Sequence, residues 1–159
     1  MERDYWLTTH KGSSWQEFHR LTNAQLASFP KRNRRQVEKM QIGDYILCYQ
    51  AVTSTWIGLL EVVAEPFYID EEPFNEKDRI WDNPELEFRC RVPVRVRLDL
   101  PSDDGVPIAP LKEQLSFCQG PKPNSWAGFL SNNPRHLRTS DGEIIQQALQ
   151  EKITRLYAS

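Results

Sequence analysis

Cations and aromatic rings, rather than nucleophiles, are the residues best placed to do chemistry in this chain. Lys31-Arg32-Asn33-Arg34-Arg35 puts four cations into five positions. The segment leads into the short helix predicted around Gln36 to Met40. Backbone N–H groups and the helix dipole at such an entry also favour anions, so this is the best phosphate candidate. A solvated helix face is the alternative. Five tryptophans stand beside these cations: Trp6, Trp15, Trp56, Trp81 and Trp126. Trp15 has core spacing on a predicted helix, Trp56 opens a buried strand, and Trp6 is either core or pocket wall. Trp81 and Trp126 sit in loops rich in Asn, Pro, Asp and Ser. Loop tryptophans either bind something or cap the core, and stacking a base on one contributes about 1–3 kcal/mol.

Signals for catalysis are thin. His10, His19 and His136 have no spacing partners for a metal, so neither zinc nor another cofactor is expected. There is no phosphate-binding glycine loop, dinucleotide fingerprint or nucleophile elbow. Asp103-Asp104 and Glu71-Glu72 read as solvated loop pairs, and Asp44, after Gly43, as a turn former bonding backbone amides. No nucleophile–base pair stands out, and a non-enzymatic chain is expected.

The elements that must hold these residues are readable in outline. At 159 residues the chain is expected to be one domain, residues 1–159, with a net charge of −2 that gives no global attraction to nucleic acid. Apolar runs are far too short for a membrane span, and MERDYWL, with mixed charge and no apolar stretch, is not expected to be a signal peptide; Cys48, Cys90 and Cys118 lack paired spacing. Reduced thiols and a cytoplasmic location are expected. The centre is Gly43 to Asp70, with two β-rich runs, 45–49 and 56–63, joined as a hairpin. Neither run alternates, so both should be buried on two faces. Gly58, inside the second, marks either a barrel bend or the close approach of a ligand or side chain.

Around this hairpin the chain reads in order. Tyr5 to Thr9 is a first strand. Ser14 and Glu17 form a capping box for a helix reaching about Leu26, broken near Thr22-Asn23 and ended by Phe29-Pro30. Pro66 to Leu86 is a long acidic loop. Phe88 to Leu100 alternates strictly, with Arg89, Arg91, Arg95 and Arg97 outward as a solvent row and Pro93 marking an edge or bulge. Pro110 opens a short helix to Phe117. Ser140 and Glu143 cap a final helix from about Asp141 to Tyr157. This order is α+β, with roughly five strands suited to a small barrel.

Several of these pieces together resemble the EVE domain of the PUA-like superfamily. They are Tyr5-Trp6, Gly43-Asp44 before an aromatic-rich strand, and G-x-x-E-V-x-x-E-P-x-x-x-D from Gly58 to Asp70. The strand Phe88 to Val96, P-L-x-x-x-L-x-F from Pro110, Trp126 with Phe129, and R-x-L from Arg135 follow in the same order. The family is similar to the YTH readers of methyladenine. The resemblance implies a PUA-like small curved mixed β-barrel flanked by helices, with an aromatic pocket for a flipped, modified base in DNA or RNA. Its walls and edge readers would be Thr8, Thr9, His10, Phe29, Pro30, Trp81, Asn124, Ser125 and Trp126, with Lys31, Arg32, Arg34 and Arg35 on the nucleic-acid backbone. Some relatives carry a cage tryptophan just before the Pro30 position; here only Phe29 in that stretch is aromatic. A module for a nucleotide-like metabolite is the alternative.

Overall fold

The structure is a computed structural model that describes residues 3–83, 85–120, 125–131 and 133–158. Its frame is the expected hairpin, β3 (Tyr45–Gln50) with β4 (Thr55–Val62). Nearly every residue of both strands is buried, as the lack of alternation predicts. Strand β1 (Tyr5–His10) lies parallel to β3, from Tyr5 opposite Tyr45 to His10 opposite Gln50. A parallel neighbour needs a crossover. It is supplied by helix α1 (Ser14–Thr22), strand β2 (Leu26–Phe29), a 3₁₀ turn over Lys31–Asn33 and helix α2 (Arg34–Val37).

Among the described residues eight strands form one curled mixed sheet. The order along its main path is β2-β6-β4-β3-β1-β8, with β6 at Cys90–Asp99 and β8 at Arg135–Leu137. Two short strands, β5 (Phe67–Tyr68) and β7 (Val106–Pro107), pair with β6 and β4. Helix α3 (Ser125–Leu130) follows, and helix α4 (Thr139–Leu156) ends the chain. This is the expected α+β, PUA-like architecture, with more strands than the five anticipated.

The differences have local causes. The first helix stops at Thr22 because Asn23 and Ala24 take left-handed backbone angles, φ 56° and 57°, which turn the chain back as β2 instead of more helix. Neither capping box forms. Ser13 precedes α1 and its hydroxyl meets the Glu17 carboxylate, while Arg138 precedes α4. The Asp141 carboxylate accepts the Ser116 N–H at 2.8 Å. Phe88, at φ 44°, leaves the strand, so β6 begins at Cys90. Pro93 is neither edge nor bulge. It lies inside the sheet where the ladders to β2 and β4 both run out, and its carbonyl accepts Val63 N–H. The segment after Pro110 is two 3₁₀ turns, Ala109–Leu111 and Ser116–Cys118.

Two apolar cores lie on the two faces of the sheet. Tyr5, Leu7, Tyr45, Leu47 and Tyr49 point to α4, together with Ile145 and Leu149. Trp6, Ile46 and Cys48 point the other way, to Trp15, Phe18 and Phe29. Trp6 therefore belongs to the core, its indole N–H donating to Asp44 Oδ2 at 3.1 Å. Asp44 also accepts the N–H groups of Asp4 and Gln41, the role read for it from the sequence. Both alternatives for Gly58 hold. Register shifts flank it, and a Cβ there would stand 2.6 Å from the Trp15 ring. All three cysteines are free thiols. Among the described residues no helix is long and apolar enough to cross a membrane.

Candidate functional site

Where β1 ends, the sheet, α1, β2 and the loop residues Trp81, Asp82, Asn83, Leu86 and Phe88 surround a cavity of about 630 Å³. That lies within the roughly 300–1,000 Å³ of small-ligand sites. Its apolar walls are Phe18, Ala27, Phe29, Leu60 and Trp81. Trp81 is fixed at both ends. Its N–H donates to Ser28 Oγ at 2.8 Å, and its ring meets the Phe88 ring edge-on at 5.7 Å. The left-handed backbone of Phe88 is a strained conformation for an aromatic residue, and it turns that ring toward Trp81.

The loop carrying Trp81 is tied down through backbone groups. Arg91, buried, donates to the carbonyls of Asp78 and Phe88, both at 2.7 Å, and to that of Glu87. Arg89, also buried, donates to the carbonyls of Ile69 and Glu71 and pairs with Glu72 and Glu87. The expected solvent row of arginines is thus corrected. Arg95 and Arg97 do face outward and share Glu61, but Arg89 and Arg91 turn in, because the acidic loop brings its carbonyls over them. Hydrogen bonds of this kind offset the cost of burying a cation. At the mouth, Glu17 accepts the Asp82 N–H at 2.7 Å and Arg20 pairs with Asp82.

Thr8, Thr9 and His10 all line the cavity. Thr9 is committed elsewhere: its hydroxyl donates to the Leu130 carbonyl and its N–H to Asn133 Oδ1. His10 is different. Its Nδ1 lies 3.0 Å from Ser14 Oγ, while its Nε2 is buried and has no partner among the described residues. Burial, with His19 nearby, lowers its pKa to about 4, so the ring is neutral at ordinary pH.

The basic run divides. Arg32 lines the cavity and, like Lys31 and Arg35, is exposed without an ion pair among the described residues. Arg34 is held instead by Glu38 at 3.1 Å and Asp70 at 3.2 Å, over the Tyr68 ring. Phe29 and Pro30 are wall residues as anticipated.

Trp126 is not. It packs against the core on the opposite face of the sheet, under Lys112 Nζ at 4.4 Å, and does not line the cavity. The two loop tryptophans therefore do not converge. α3 returns on the α4 face, and nothing in the composition of either loop encodes that. Asn124 lies outside the described residues, and of Ser125 only its place at the start of α3 is described. Ser14, Phe18, Ser28, Phe88 and Asn133 are lining residues the sequence did not single out. Ser28 was missed together with strand β2.

Among the described residues no cluster of three or more His, Cys, Asp or Glu side chains is placed to hold a metal ion. A model of the EVE domain matches residues 4–136. No curated protein matches. Among solved structures, a hypothetical protein from Leishmania major is 18% identical with a TM-score of 0.62, covering 96% of this chain and 98% of that one. The YTH domain of the Zygosaccharomyces rouxii MRB1 protein, in complex with N6-methyladenosine RNA, is 16% identical with a TM-score of 0.59, covering 94% and 88%. A YTH domain-containing protein, mmi1, in complex with RNA is 9% identical with a TM-score of 0.63, covering 99% and 88%. At these identities the likeness is one of fold.

Proposed function

This chain belongs to the EVE domain family, and from that premise we propose that it is a non-catalytic nucleic-acid-binding module that takes a modified base into the cavity beneath Trp81. The observation that carries the reading is the cavity itself: aromatic walls from Trp81 and Phe29, and in its lining Arg32, exposed and without an ion pair among the described residues, with exposed Lys31 and Arg35 close to it in the chain. The likeness in fold to a YTH domain solved in complex with N6-methyladenosine RNA supports the reading.

Physics sets the division of labour. Burying one methyl group contributes only about 0.8 kcal/mol, so discrimination needs a fitted wall and a hydrogen bond to the base edge. The cations add affinity without sequence preference. A base reaches the walls by leaving its stack, at a cost of a few kcal/mol that stacking on Trp81 offsets.

A metabolite module is the second reading. It is favoured by the net charge of −2 and by the diversion of Arg34 to Asp70 and Glu38. The test is a binding panel of plain and singly modified oligonucleotides, in DNA and RNA, repeated over a range of salt. A preferred modification and an affinity falling steeply with salt are expected. Equal binding of every oligonucleotide would remove the modified-base reading. A flat salt response would favour the metabolite.

A further inference from the structure

We infer that a second cleft, at the β8 edge of the sheet, holds a backbone phosphate of the strand whose base enters the cavity, with Arg135 and Arg138 as its ligands. The inference rests on the base-pocket reading and deepens it by giving the strand a second point of support.

The cleft measures about 560 Å³, and Phe117, Phe129, Arg135, Arg138 and Asp141 are among its walls. The Arg135 guanidinium lies over the Phe129 ring at 4.1 Å. The Phe117 ring stacks on Phe129 in turn, at 4.5 Å and 6° between planes. A guanidinium held by its face keeps the N–H groups in its plane for an oxyanion, and that planar fork matches phosphate. Arg138 is exposed and brings a second positive charge. Neither arginine has an ion pair among the described residues. The nearby acids are engaged. Asp141, 2% exposed, accepts the N–H and the hydroxyl of Ser116, and Asp4 faces His136 at 3.2 Å. Two arginines against the one carboxylate of Asp141 leave the lining net positive.

Cleft and cavity share one segment of chain. Ser131 and Asn133 line the cavity, while Gly128, Phe129 and Arg135 line the cleft. From Asn133 to Arg135 the chain spans no more than about 7 Å. The segment is pinned to β1, because Thr9 donates its N–H to Asn133 Oδ1 and its hydroxyl to the Leu130 carbonyl. β2 and β8 are the two ends of the sheet's main path. Arg32 follows β2 and lines the cavity, and Arg135 lies in β8. A base extruded from within a strand leaves backbone running away in two directions. The cations after β2 can hold one direction, and the β8 cleft is placed to hold the other.

The experiment uses short single strands carrying N6-methyladenine or 5-methylcytosine at the centre, the 5′ end or the 3′ end, with plain strands as parents. Each is titrated over a range of salt into the wild type, Arg32→Gln, and the double variant Arg135→Gln with Arg138→Gln. In the double variant the slope of log affinity against log salt on the central-base strand should fall by about 0.7 to 1 for each arginine. The preference for the modified base over its parent should stay. The loss should be confined to one of the two end-modified strands, and Arg32→Gln should weaken the other. Equal slopes for wild type and double variant would overturn the cleft and leave the base pocket intact. Equal losses on both end-modified strands would overturn it too, because a change in overall charge weakens both alike. No preference for either modified base in the wild type, with the slope still reduced in the double variant, would remove the base reading and leave the cleft a phosphate site. Should the double variant fail to fold, Arg138→Gln alone decides. At that exposed position the slope must fall by the share of one arginine, and an unchanged slope overturns the assignment.

Discussion

The two faces of the sheet begin alike and finish differently. On one, α4 lies across Tyr5, Leu7, Tyr45 and Leu47 with Ile145 and Leu149 inserted. On the other, α1 covers only part of the surface, and an irregular acidic loop covers the rest. A long amphipathic helix presents a continuous apolar stripe and leaves little space beneath it. A loop anchored through its carbonyls by Arg89 and Arg91 bridges a span without filling it. The cavity is thus a consequence of how one face is closed, and the other face is the internal control.

The largest effects should come from the tightest contacts on each face. Gly142 of α4 rides on the Tyr5 ring, where an added Cβ would stand 2.2 Å from Cγ. Gly142→Ala should destabilise by about 3 kcal/mol, although alanine is the better helix former. Gly58→Ala should cost about 2 kcal/mol, because the Cβ meets Trp15 at 2.6 and 2.9 Å. It should also weaken binding, since Trp15 is stacked against Phe18 and abuts His10, both cavity residues. Urea unfolding with parallel titrations separates the two. A neutral Gly142→Ala would mean that the α4 face is not filled.

A pH effect should belong to the cavity face. The pKa of His10 falls from 6.5 to about 4 on folding, which corresponds to roughly 3 kcal/mol. Between those values the unfolded chain takes up a proton that the folded chain refuses. Stability through this group therefore falls as pH drops from 6.5 to 4, and changes no further below. Glu61 acts lower. Its hydrogen bond from Arg95 depresses its pKa below 4.5, so its contribution is lost only in stronger acid. Unfolding midpoints between pH 7 and 5 should slope for the wild type and be flatter for His10→Phe. Equal slopes would show that His10 is not held neutral.

Local signals made the central part of the chain legible. The hairpin of β3 and β4, the alternation of β6 and the stripe of α4 are each written into one short segment. What was not legible depends on distant partners. Strand β2 consists of Leu26-Ala27-Ser28-Phe29, which alternates weakly and is a strand because β6 pairs with it. Arg89 and Arg91 share a period with Arg95 and Arg97, and only the returning loop distinguishes them. The site was half legible for the same reason. Thr8, His10, Phe29 and Trp81 come together, whereas Trp126 carries the same local signal to the other face.

That pair gives a double dissociation. Trp81→Ala should weaken binding of the preferred oligonucleotide by about 1–3 kcal/mol, the range for stacking on one base. Trp126→Ala should leave binding alone and lower stability by about 2 kcal/mol, through lost contacts with its core and Lys112. Weaker binding in Trp126→Ala at full stability would place the ligand on the wrong face in this account.

The smallest effects separate two neighbouring arginines. Arg32 lines the cavity and has no ion pair among the described residues, while Arg34 is already neutralised by Glu38 and Asp70. If Arg32 meets a phosphate, Arg32→Gln should lower affinity a few-fold on every strand alike. It should also reduce the slope of log affinity against log salt by about one. Arg34→Gln should leave that slope unchanged, because its charge is spent within the fold, and its exposed pairs should add little to stability. The useful measurement is the slope rather than the affinity at one salt concentration. A global loss of structure would move both, but only a lost phosphate contact changes the number of counterions released. Equal slopes for wild type and Arg32→Gln would take the backbone off this side of the cavity and strengthen the metabolite reading.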